Sequence, residues 1–124
     1  MSKGRVLGIG GVFVRSADPA GLCDWYRRCL GLSLADDFDG VLFPQGALPE
    51  KAYGVWSAFP VDSPYFEGTS KGHIINFVVD DVAAVLDRGR TNGGEVAEGP
   101  ENTDYGVFGW VIDPEGNKIE LWAP

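Results

Sequence analysis

Histidine, cysteine and basic residues are scarce in this chain of 124 residues. It has one histidine, two cysteines and 10 lysines and arginines against 18 aspartates and glutamates, which gives a net charge of −8 at pH 7. So few basic residues argue against a nucleic-acid partner, because nucleic acids bind to positive surfaces. The single histidine also leaves few donors for a catalytic metal, which normally keeps three protein ligands.

Long apolar runs and a pair of cysteines that could bridge are missing as well. No run approaches the roughly 20 apolar residues of a membrane helix, and residues 1–5 lead into a predicted strand without the apolar stretch of a secretion signal. Cys23 and Cys29 lie on one predicted helix, roughly 9 Å apart along its axis, which is too far for a disulfide. We therefore expect a cytoplasmic protein with reduced cysteines and no membrane partner.

The chain contains an internal repeat of a strand, a helix and three strands. Residues 6–15 read as a strand, and a helix follows with Asp18 as its N-cap and Gly31 as its stop. Residues 74–79 read as a second such strand, followed by a helix that ends at Gly93. A length of 124 residues suits a single domain, 1–124, with a core of its own.

The last twenty residues predict a β-hairpin. Two apolar runs flank the turn Asp113-Pro114-Glu115-Gly116-Asn117, in which the proline presets φ and the glycine can take a positive φ. In the second strand, Ile119 and Leu121 face one way while Glu120 and Trp122 face the other. An acid beside a tryptophan is an unusual choice for a solvent face, and it favours the lining of a ligand cavity.

This hairpin and the repeat resemble the vicinal oxygen chelate superfamily, which includes glyoxalases, bleomycin-resistance proteins and extradiol dioxygenases. The resemblance covers about residues 7–123. It implies an α+β fold of two βαβββ modules, about 6–60 and 72–124, which form one curved, mostly antiparallel, eight-stranded cup with two outer helices. Members of this size resemble half of a two-cup unit, and sheet edges need cover, so we expect a homodimer.

The resemblance also locates the positions at which the superfamily's enzymes hold a divalent metal with donors from four strands. The corresponding positions here are Gly11 or Val12, Trp56, Ile74 and Glu120. Only Glu120 can bind a metal, and His73 should face away from the cup because neighbouring strand residues point to opposite faces. We expect no metal cofactor; the alternative is a divalent metal held by Glu120, His73 and a rearranged third ligand.

Strand alternation and the resemblance together predict the inner face of the cup. The expected ligand-binding residues are Phe13, Trp56, Asn76, Phe108, Trp110, Glu120 and Trp122. Asn76, Arg15 or Tyr105 should donate a hydrogen bond to Glu120, because a buried carboxylate needs a partner. The aromatics of the segment between the modules, Tyr65 and Phe66, either rim the cavity or pack outside the sheet.

Three functions are compatible with these residues. The first is metal-independent binding of a small organic molecule with an apolar body and a polar or cationic group, as in the antibiotic-sequestering branch of the superfamily. The second is a metal-dependent lyase, isomerase or dioxygenase. The third is an interaction module whose concave face is filled by its own side chains or by a partner. Metal content and cavity volume would distinguish them.

Overall fold

The computed structural model of the protein describes residues 4–124, and residues 1–3, the start of the expected single domain, lie outside the described residues. The fold combines two α-helices with one β-sheet. The elements are α1 (Pro19–Leu30), β1 (Ile75–Val78), α2 (Val82–Thr91), β2 (Glu95–Thr103), β3 (Gly106–Ile112) and β4 (Lys118–Ala123), with short 3-10 helices at Gln45–Ala47 and Pro64–Phe66.

Both helices begin and end where their capping residues predict. The side chain of Asp18 accepts a hydrogen bond from the Gly21 amide at 3.1 Å, and Gly31 ends α1 with a φ of 73°. Asp81 caps α2 in the same way, and Gly93 follows the end of that helix with a φ of 80°. The predicted helices of the two halves are therefore confirmed.

The sheet is mixed and has the strand order β1-β4-β3-β2. Strand β4 lies in the middle, parallel to β1 and antiparallel to β3, and β2 pairs antiparallel with β3. The hairpin of β3 and β4 is the one that the C-terminal sequence predicts. Its register aligns Trp110 with Glu120 and Phe108 with Trp122.

The core lies between one face of this sheet and the two helices. Ile119 and Leu121 are fully buried there, against a layer of apolar residues from α1 and α2 that includes Trp25 and Leu86. A Cβ atom on Gly109 would lie 2.8 Å from a Val82 methyl and 3.1 Å from a Leu86 methyl, so a glycine at this position of β3 lets α2 approach closely.

The predicted strands of the first half do not form in the single chain. Within residues 4–124 the sheet has four strands and is not closed, so the expected eight-stranded cup is not confirmed. Residues 6–15 and 55–60 have no strand assignment, and most of their large apolar side chains are exposed. Alternation identifies residues that suit a strand, but a strand also needs a neighbour to pair its backbone groups.

The turn between β3 and β4 is built around the buried carboxylate of Asp113, which is 4% exposed. One oxygen accepts the amides of Glu115 and Asn117, both at 2.9 Å. The other accepts the Asn117 side-chain amide and the Tyr26 hydroxyl, both at 2.7 Å. Gly116 has a φ of 84°, as the turn sequence predicts. Since Tyr26 lies on α1, the carboxylate joins the turn to that helix.

Neither α-helix within residues 4–124 combines the length and the apolar character that crossing a bilayer requires.

The bond between Tyr26 and Asp113 should stabilise the fold measurably. Tyr26→Phe removes one donor from a buried carboxylate, and we expect the free energy of unfolding to fall by about 1.5–3 kcal/mol, the range for hydrogen bonds to charged groups. Urea unfolding at pH 7 measures the difference. Tyr105→Phe is the matched control because Tyr105 is 71% exposed, and it should change little. Equal stabilities of the Tyr26 variant and the native protein would contradict this role.

The same bond predicts how stability depends on pH. Burial, followed by the hydrogen bond to Asp113, raises the pKa of Tyr26 above its ordinary value of 10.0. The folded protein therefore keeps this proton at a pH where the unfolded chain releases it, so the contribution is full below pH 10.0 and is lost progressively above it. Tyr26→Phe should flatten the alkaline fall in unfolding free energy.

Candidate functional site

The face of the sheet that points away from the helices carries the candidate site. Strand alternation brings five of the predicted ligand-binding residues to this face: Asn76, Phe108, Trp110, Glu120 and Trp122. Glu120 lies in the central strand β4, with Asn76 beside it on β1 and Trp110 beside it on β3. A row that crosses three strands thus places the acid between an amide and an indole.

Three rings form an aromatic surface, which we define as Phe108, Trp110 and Trp122. The Phe108 ring lies 6.2 Å from each indole, with interplanar angles of 14° and 15°, so the three planes are nearly parallel. Tyr53 packs edge-on against Trp122 at 5.0 Å. Trp110 is 7% exposed, so the single chain already covers much of this surface.

The carboxylate of Glu120 is held by two neutral donors. One oxygen accepts the Asn76 side-chain amide at 2.9 Å, and the other accepts the Tyr65 hydroxyl. Of the three alternatives predicted from the sequence, Asn76 is therefore the donor. None of the ion pairs within residues 4–124 includes Glu120. Among the described residues the acid thus has two hydrogen-bond donors and takes part in no ion pair.

Tyr65 reaches this acid from the linker segment, defined as residues 63–69. Its ring stacks on Phe59 at 5.3 Å and meets Trp110 edge-on at 6.3 Å. Partial burial, followed by the hydrogen bond to Glu120, raises the pKa of Tyr65 above its usual value. The indole N–H of Trp110 opposes that rise in the pKa, yet it has no hydrogen-bond partner of acceptable geometry among residues 4–124.

The backbone of the linker segment is fastened to the C-terminal hairpin. The Lys118 ammonium donates to the carbonyl oxygens of Tyr65 at 2.8 Å and Glu67 at 3.0 Å, and it lies 5.5 Å from the centroid of the Tyr65 ring. The Thr69 hydroxyl donates to the carbonyl of Gly116 at 2.6 Å. These contacts position Tyr65 over Glu120 through main-chain atoms of the segment.

Two predicted residues are not brought to the aromatic surface. Phe13 is 96% exposed and Trp56 is 82% exposed, and both lie in segments without strand pairing. Tyr65 is the main residue of the site that the sequence did not assign. A signal was present, since Ser63 followed by Pro64 is typical of a helix start, and Ser63 does accept the Tyr65 amide at 3.2 Å.

The expected metal positions offer few donors. Gly11, Trp56 and Ile74 have no side chain that binds a metal, and His73 is exposed in the segment before β1. Within the part of the chain that the structure describes, no three side chains of His, Cys, Asp or Glu come together as a set that could hold a metal ion. Glu120 is surrounded instead by an amide, a phenol and aromatic rings.

The comparison with protein families agrees with the fold and the C-terminal hairpin. Residues 8–121 match the model of the Glyoxalase/Bleomycin resistance protein/Dioxygenase superfamily. The chain belongs to this superfamily. The match spans both halves of the repeat, including the first half, which forms no strands in the single chain. A comparison with curated proteins found no match.

Solved structures of the superfamily's fold are similar to the chain. One is TnmS3, an antibiotic binding protein from Streptomyces sp. CB03234, which is 30% identical, with 90% of each chain covered and a TM-score of 0.57. Another is an integron cassette protein from the mobile metagenome of V. cholerae, at 16% identity, with 96% of this chain and 98% of that chain covered and a TM-score of 0.51. The second similarity shows the fold alone.

Proposed function

We propose that the protein binds a small organic molecule, with a planar aromatic body and a polar or cationic group, on the aromatic surface beside Glu120, and that it does so without a metal. One observation carries the proposal: three nearly parallel rings lie next to a carboxylate that takes part in no ion pair within residues 4–124. Flat rings favour a flat apolar ligand, and the acid favours a donor or a positive charge at its edge.

The similarity to TnmS3 supports the same class of function. That protein is described as an antibiotic binding protein, and the similarity at 30% identity extends over 90% of both chains. Antibiotics are small organic molecules, so sequestration of such a compound is the form of binding that we propose for this chain. The superfamily also contains dioxygenases. The alternative function is therefore a metal-dependent lyase, isomerase or dioxygenase, and the metal content of the purified protein distinguishes it from metal-free binding.

We also propose that two copies of the chain complete the cup. In the single chain, Phe13 and Trp56 expose nearly all of their apolar surface, and the edge strands β1 and β2 each lack a neighbour on one side among the described residues. Residues 6–15 and 55–60 of a second copy would supply the missing strands and cover both features. The two added strands would extend the four-stranded sheet towards the expected cup around the aromatic surface.

The binding proposal predicts which tryptophans respond to a ligand. The cation 1-methylquinolinium should quench the intrinsic fluorescence saturably, and Trp110→Phe should remove much of that change. Trp25→Phe is the matched control because Trp25 lies in the core on the other side of the sheet. Glu120→Gln should lower the affinity for the cation roughly fivefold, which corresponds to about 1 kcal/mol. It should leave the affinity for the neutral isostere 1-methylnaphthalene unchanged. If neither Trp110→Phe nor Glu120→Gln changes the quenching, the ligand binds elsewhere.

Metal independence predicts that protein purified without chelator holds far less than one transition-metal ion per chain. The physical reason is that three of the four expected ligand positions are Gly11, Trp56 and Ile74. Elemental analysis measures the content. About one zinc, nickel, manganese or iron per chain, lost in Glu120→Gln, would favour the enzyme alternative.

The two-copy cup predicts a dimer of the 13.3 kDa chain in sedimentation at micromolar concentration. Phe13→Asp should shift the protein towards monomer, because it introduces a charge into the proposed interface. Val61→Asp introduces the same negative charge at an exposed site outside residues 6–15 and 55–60, so it should leave the dimer intact. A native protein that sediments as a monomer would refute the two-copy cup.

A further inference from the structure

Tyr65 places a phenol against the acid at the centre of the candidate site. We propose that the ligand carries a hydroxyaryl group, and that this group binds Glu120 in the position that the Tyr65 phenol takes. The inference rests on the proposed function, since it names the chemical class that the same site selects. It also assigns Tyr65 as a residue that determines specificity.

The surroundings of the Tyr65 ring are those of a bound aromatic group. Phe59 stacks on it with an interplanar angle of 21°, and Trp110 meets it edge-on at 82°. The ammonium of Lys118 lies 5.5 Å from the ring centroid. The side chain is thus enclosed by two rings and a cation, while its hydroxyl donates to Glu120. The chain itself demonstrates that a phenol fits beside this acid.

The Tyr65 hydroxyl leaves the indole N–H of Trp110 without a hydrogen-bond acceptor in the described part of the chain. Trp110 is more than nine-tenths buried, and its Nε1 is the buried side-chain donor without a hydrogen-bond partner among residues 4–124. Buried donors are rarely left without an acceptor. The Trp110 ring meets the Tyr65 ring edge-on with their centroids 6.3 Å apart, so this N–H belongs to a ring that borders the phenol. An oxygen shifted slightly towards Trp110 would accept this hydrogen bond.

The pairing of a donor and an acceptor selects the class of ligand. Asn76 already occupies one oxygen of Glu120, which leaves the other oxygen as an acceptor. A hydroxyl group donates to that oxygen and accepts from Trp110 with the same atom. An ammonium donates only, and a carboxylate would be repelled by Glu120. A neutral hydroxyl on an aromatic ring therefore satisfies both groups.

Displacement of Tyr65 does not require the linker segment to detach. Lys118 and Thr69 hold that segment through carbonyl oxygens, and neither bonds to the phenol hydroxyl. The ring can therefore leave Glu120 by rotation about its side-chain bonds while the backbone keeps its place. Binding of the ligand is then a competition between two hydroxyls for one carboxylate oxygen.

The test compares 2-naphthol with 2-methoxynaphthalene, which has no hydroxyl to donate, on the native protein and on Tyr65→Phe. Titration calorimetry at pH 7 measures both affinities. Native protein should prefer 2-naphthol. Tyr65→Phe should bind both compounds roughly fivefold more tightly, the equivalent of one net hydrogen bond, because neither has to displace a hydroxyl that is bonded to Glu120, and it should keep the preference for 2-naphthol. Tyr105→Phe is the control and should change neither affinity.

A second variant keeps the test independent of how well Tyr65→Phe folds. Glu120→Gln in the native background should reduce the preference for 2-naphthol, because an amide oxygen accepts a weaker hydrogen bond than a carboxylate oxygen. If both compounds bind without any preference for the hydroxyl, or if Tyr65→Phe weakens 2-naphthol, this inference is overturned while the proposed function stands. If neither compound binds to any of the proteins, the proposed function and the inference both fail.

Discussion

The carboxylate of Asp113 accepts four hydrogen bonds, and the geometry of the site depends on it. Three come from its own turn and the fourth comes from Tyr26 on α1. Together they fix where β3 ends and β4 begins. Because side chains alternate along a strand, a shift of one residue would turn Glu120 towards the helices and Leu121 towards the side of the sheet that carries the aromatic surface. A buried polar network thus sets the face on which the aromatic surface lies.

The parts of the fold that could be predicted are those encoded by neighbouring residues. Asp18 and Gly31 are adjacent to the helix they delimit, and the turn at Asp113 holds its own hydrogen bonds. The alternation of residues 118–123 likewise assigns each side chain of β4 to a face without knowledge of the rest of the chain. Alternation offered Asn76 as one of three possible donors to Glu120, and the structure shows that Asn76 is the one that bonds.

The parts that could not be predicted depend on distant partners. Phe13 and Trp56 lie in sequences that suit strands, yet no pattern within a segment states which edge it will pair with, or whether that edge belongs to the same chain. Tyr65 is similar, because its place over Glu120 is set by Lys118 and Thr69, which bond to main-chain atoms of the linker segment and of the turn. Such contacts do not depend on residue type on the accepting side, so they leave little trace in the sequence.

The central position of β4 separates two kinds of evolutionary change. Ile119 and Leu121 are enclosed by the helices, whereas Glu120 and Trp122 contact only the opposite side, and the two pairs alternate along one strand. Under the proposed function, substitution of Glu120 would alter recognition, whereas substitution of Ile119 or Leu121 would alter how firmly the protein folds. A single mutation of the half-buried Glu120 could therefore change the chemistry of that face while the buried residues of the same strand keep their packing.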